Sequence, residues 1–145
     1  MSSGNHKPAI WFWVVAGLFL LWDIAGIFAF YVHVGVDTAA LAAMTAYDRQ
    51  AYLALPSWYN WVFALAVWPA LLGSVALLAR SKFARPLFIA SLIGVIVQFG
   101  WVFGATDLIA VKGVLATVPF PIFIFVLAVA QVWFAGIATK RGWLR

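Results

Sequence analysis

The sequence predicts an all-α membrane protein, a four-transmembrane-helix bundle with a short amphipathic external helix between spans 1 and 2. Three observations carry this. Hydrophobic side chains make up 67% of the 145 residues and charged ones only 9%, too little polar surface to cover a water-soluble globule. The apolar residues fall into four runs, each near the roughly 20 residues that cross a hydrocarbon core of about 30 Å. Seven of the nine basic residues cluster in alternate connections: Lys7 before the first run, Arg80, Lys82 and Arg85 between the second and third, Lys140, Arg141 and Arg145 after the fourth. Lys and Arg collect on the cytoplasmic side. That places both termini in the cytoplasm (N-in, C-in) and predicts a bacterial inner membrane.

One integral-membrane domain over residues 1–145 is expected. After a polar tail, span 1 covers residues 9–32 with Trp11 and Trp13 at its inner end. Indole rings favour the headgroup level. Between residues 38 and 55, Leu41, Met44, Tyr47, Ala51 and Leu55 recur at helical steps opposite Asp48, Arg49 and Gln50. This reads as a surface helix, capped by Asp37 or Thr38 and ended by Pro56. Span 2 covers 57–79, with Pro69 in its middle freeing the Leu65 carbonyl and favouring a kink. Span 3 covers 86–105 and span 4 covers 120–139, followed by Trp143. Gly100 and Gly104 form a GxxxG that permits close helix approach. Gln98 follows Asp23, and Lys82 follows Lys7, by the same 75 residues, a hint of parallel duplication.

Asp23, Gln98 and Gln131 each lie near the middle of a span and so at one depth. A charged side chain there costs about 2.5–3.5 kcal/mol on insertion scales and normally faces the bundle interior; a glutamine amide also needs partners. The three are expected to meet in one polar cluster, beside the interior tryptophans Trp22, Trp68, Trp101 and Trp133. Indoles beside a carboxylate and two amides would hold a sugar by stacking and hydroxyl hydrogen bonds, or an organic cation by ring faces and charge. The substrate-binding candidates are therefore Asp23, Gln98, Gln131, Trp22, Trp68 and Trp101. The competing reading is a neutral acid hydrogen-bonded to the glutamines that ties helices together.

No cysteine and no glutamate occur, and there is no HExxH, phosphate-binding glycine loop or nucleophile–base pair. His6 and His33 fall at opposite ends, which excludes a paired haem site. No catalytic residue, metal or cofactor is expected, and no enzyme activity. The net charge of +5 follows the loop ends rather than a basic stripe, which argues against nucleic acid as a partner.

Trp22-Asp23 with Gly26, the Leu55-Pro56-Ser57-Trp58 entry to span 2, Arg85-Pro86, Gln98 and the closing Lys140-Arg141-Gly142-Trp143-Leu144-Arg145 resemble a family of small four-span bacterial inner-membrane proteins that carry the label sugar transporter. That family more often has Asn at the position of Asp23, which implies hydrogen bonding rather than charge. The resemblance implies a small-solute transporter or binder in the lipid bilayer. One thin bundle predicts a homo-oligomer or membership of a larger membrane complex. The alternative function is a non-catalytic accessory or assembly subunit of such a complex.

Overall fold

In the computed structural model, which describes residues 7–145, four long helices carry the chain across the membrane: α1 (Ile10–Val34), α4 (Tyr59–Leu78), α5 (Ala84–Ala105) and α8 (Pro119–Lys140). Residues 1–6, including His6, lie outside the described part. The chain is a multi-pass integral membrane protein. All described regular structure is helical.

The segment between the first two spans is divided. Asp37 caps α2 (Thr38–Ala43) by accepting from the Ala40 N–H at 2.8 Å, and Thr45 caps a second helix, α3 (Ala46–Leu53), by accepting from Asp48 N–H at 3.1 Å. Each side-chain oxygen satisfies a donor that a new helix leaves free. Arg49 stitches the two together, its guanidinium donating to the carbonyls of Leu41, Ala42 and Met44. The connection after α5 also holds two short helices, α6 (Leu108–Lys112) and α7 (Val114–Thr117), separated by Gly113 at φ 87°. The order long, short, short, long therefore occurs twice.

Helix α4 runs unbroken through Pro69. It packs on α1 and on α5, and α5 packs on α8. Small residues set the tightest of these contacts. A Cβ on Gly94 would stand 2.6 Å from the Ala66 backbone nitrogen, and one on Gly73 would stand 2.7 Å from the Phe88 ring. Close approach through small residues substitutes for the hydrophobic drive that lipid removes. The Ser91 hydroxyl reinforces the crossing by donating to the Ala66 carbonyl at 2.5 Å. Gly100 and Gly104, the GxxxG pair, instead face open space.

The fourth side of the ring is different. Helices α1 and α8 have few close backbone contacts, and aromatic rings lie between them. Phe134 meets Trp11, Phe12 and Phe19 at ring separations of 5.6–5.7 Å. In the register that aligns Asp23 with Gln98, Phe19 occupies the place of Gly94. The glycine admits a neighbouring helix and the phenylalanine excludes one.

The end of the bundle bearing Arg80, Lys82, Arg85, Lys140, Arg141 and Arg145 is solid. Phe12, Phe88, Leu77, Phe134 and the alanines of α8 form a packed core there, with Trp143 and Leu144 folded beneath it. Arg80, at φ 57°, donates from its guanidinium to the Trp143 carbonyl, and its own carbonyl accepts from Arg145 N–H. Arg141 lies over the Trp11 and Trp143 rings. The short helices lie at the opposite end.

Candidate functional site

Asp23 is buried in the middle of α1. Its two carboxylate oxygens accept from the Gln131 amide of α8 at 3.0 Å each, and one also accepts from the Ser74 hydroxyl of α4. One carboxylate thus joins three of the four spans. Burial of so polar a group is tolerable only with such partners.

Gln98 lies on the same level but does not reach Asp23. Its amide donates to the Tyr59 hydroxyl at 3.1 Å, near the start of α4. The expected three-residue cluster is therefore two clusters, Asp23 with Gln131 and Ser74, and Gln98 with Tyr59. What unites them is a cavity of about 180 Å³ that Asp23, Gln98 and Gln131 all line. It is of the size class of an engineered ~150 Å³ cavity that accepts benzene.

Apart from these three residues and Ser91, its walls are apolar. Ala66, Val67 and Ala70 come from α4, Val95 from α5, and Ile124 and Ala128 from α8, with Trp22, Phe63, Phe99 and Phe120 supplying aromatic surface. Ser74, the Gln131 amide and the Gln98 amide each donate to a protein acceptor. The amide oxygens of Gln98 and Gln131 make no such bond, and no fully enclosed polar side-chain atom among the described residues lacks a partner. Both oxygens therefore keep some accessible surface. The cavity lining brings together a carboxylate, two amides and aromatic rings, a set that complements a donor or a cation.

Of the tryptophans, Trp22 lines the cavity and meets Phe120 and Phe123. Trp68 and Trp101 do not line it. Trp68 packs against Tyr31 on the outside of α1 and α4, and Trp101 packs against Trp58 and Tyr59 nearer the helix ends. Trp133, 65% exposed, faces lipid. Ser74 and Tyr59 went unrecognised in the sequence. Ser74 carried a usable signal, because it is a hydroxyl within an otherwise apolar run.

Above Gln98, the His33 ring contacts Tyr52, Tyr59 and Phe63, and its Nε2 pairs with the Asn60 side chain at 3.1 Å. Outside the membrane, α3 is clasped to the second connection. Tyr47 donates to Asp107 at 2.8 Å, and Lys112 pairs with Asp48 at 2.5 Å. The Lys112 contact holds the Asp48 carboxyl below its usual range, and donation to Asp107 raises the Tyr47 phenol above its own. No group of His, Cys, Asp or Glu among the described residues is arranged to hold a metal.

Comparison of the chain with protein-family models, with curated proteins and with solved structures finds no match to any of the three.

Proposed function

We propose that the bundle binds a small organic cation in the cavity beside Asp23, as a transporter or solute-binding protein of the bacterial inner membrane with its basic end in the cytoplasm. The observation that carries this is the lining itself, a buried carboxylate and aromatic faces set in mostly apolar walls, with the Gln98 and Gln131 amides each donating to a protein acceptor. A sugar presents many hydroxyl acceptors as well as donors, and mostly apolar walls would leave most of them unpaired, at about 1–3 kcal/mol each. A cation with a compact apolar body suits the same walls. The packed basic end closes that side of the bundle to a ligand.

The competing reading, a structural or accessory subunit, draws on the hydrogen bonds that tie Asp23 to Gln131 and Ser74. The two separate on Asp23→Asn, which preserves size, keeps one acceptor oxygen and removes the charge. Equilibrium binding of benzyltrimethylammonium to protein in lipid nanodiscs is expected to weaken by at least about tenfold, ~1.4 kcal/mol, with folding retained. No binding by the unaltered protein, or unchanged binding by the variant, overturns the proposal. A reporter enzyme fused after Arg145 tests the orientation; activity outside the cytoplasm contradicts it.

A further inference from the structure

We infer that the ligand reaches this cavity sideways, from within the membrane through the seam between α1 and α8, so that its chemical class is an amphiphilic cation whose head lodges at Asp23 while an alkyl tail lies in lipid. This rests on the cation-binding reading and adds a route and a shape to it.

The lining residues show where the cavity opens. Those from α4 and α5 are buried or half-buried, whereas the exposed ones, Ala25, Ala29 and Phe120, belong to α1 or α8. These two helices pack less closely, backbone to backbone, than α1 on α4, α4 on α5 or α5 on α8. On the basic side of Asp23 the gap between them is filled by Phe12, Phe19 and Phe134. Trp22 against Phe120 and Phe123 forms the last ring contact between the two helices. Beyond it α1 presents only Ala25 and Ala29 to the lining along this edge, and alanine cannot span a gap set by phenylalanines.

Gln98, 6% exposed, lines the cavity behind this slot. The slot faces hydrocarbon, since α1 and α8 lie within the membrane. A tail left there remains in an apolar medium, so the cavity need hold only a head of about one ring.

The test compares two probes with one head, benzyltrimethylammonium and benzyldimethyldodecylammonium, binding to protein in lipid nanodiscs. Both are expected to bind and both to be weakened by Asp23→Asn. Ala29→Phe, a change at an exposed position that narrows the slot, is expected to weaken the tailed probe about tenfold and the short one by less than about threefold. Phe120→Ala widens the slot and is expected to speed association of the tailed probe. Binding of the short probe alone, or equal effects of Ala29→Phe on both, overturns the lateral route and leaves the cation site standing. Failure of both probes to bind overturns the two proposals together.

Discussion

Replacing Gly94 by alanine adds a single methyl group at the crossing of α4 and α5. Its carbon would lie 2.6 Å from the Ala66 nitrogen and 2.9 Å from both Ala66 Cα and the Leu65 carbonyl carbon, where ordinary contact begins near 3.4 Å. These are backbone atoms of a helix, so no rotamer change relieves the clash. The two helices must separate by about 0.8 Å, which strains the 2.5 Å bond from Ser91 to the Ala66 carbonyl. Overpacking of this kind costs about 1–3 kcal/mol, and backbone contact places it toward the upper end. Alanine returns up to about 1 kcal/mol through helix propensity. The net expectation is destabilisation by about 2 kcal/mol. Gly100→Ala, two turns further along the same helix and facing open space, gains the propensity without the clash and is expected to be neutral or stabilised by up to about 1 kcal/mol. Reversible unfolding in mixed detergent micelles, followed by far-ultraviolet circular dichroism, measures both. Equal stability of the two variants would refute the packing argument.

Gln131→Ala removes the α8 ligand of Asp23 and is expected to destabilise by about 1–2 kcal/mol, because membrane hydrogen bonds average about 0.6 kcal/mol each and the carboxylate loses part of its compensation; Gln131→Glu, unable to donate when ionised, is expected to be worse in the same unfolding assay. Trp22→Ala is expected to weaken benzyltrimethylammonium binding, whereas Trp133→Phe, on the lipid face, leaves it unchanged. The clasp on α3 has a pH window. The Asp48 contribution, from a carboxyl held low by Lys112, is complete above the ordinary carboxylate range and disappears as pH falls through the lowered value. The Tyr47 contribution, from a phenol raised by donation to Asp107, is complete below its ordinary range and disappears as pH rises through the raised value. Amide exchange of α3, corrected for intrinsic rate, is therefore slowest between these limits; protection unchanged at both extremes would contradict the assignment.

Hydropathy and charge placement located the four long helices, because in lipid the backbone must be satisfied within each segment and span length follows from bilayer thickness. Details set by local capping were harder to read. The helicity of residues 38–55 was visible in its periodicity, but the break at Met44 comes from Thr45 capping a new helix. That asparagine, serine or threonine begins a helix depends on backbone geometry that composition does not contain. At the site, depth correctly placed Asp23 and Gln131 opposite one another. Depth says nothing of azimuth, and so Gln98 paired with Tyr59. The same loss of azimuth explains Trp68 and Trp133, which lie within spans yet outside the cavity. The GxxxG motif misled in the same manner, since the glycines that bring helices together are Gly73 and Gly94.

The sequence contains no cysteine, so a single introduced thiol reports on one place. Ala128 lines the cavity, while Ala135, two turns along α8, sits in the aromatic core at the basic end. A cationic methanethiosulfonate should modify Ala128→Cys in the folded protein, benzyltrimethylammonium should slow that reaction, and Ala135→Cys should resist. Equal reactivity at the two positions, or a reaction at residue 128 that the cation leaves untouched, would contradict a cation-accepting cavity at Asp23.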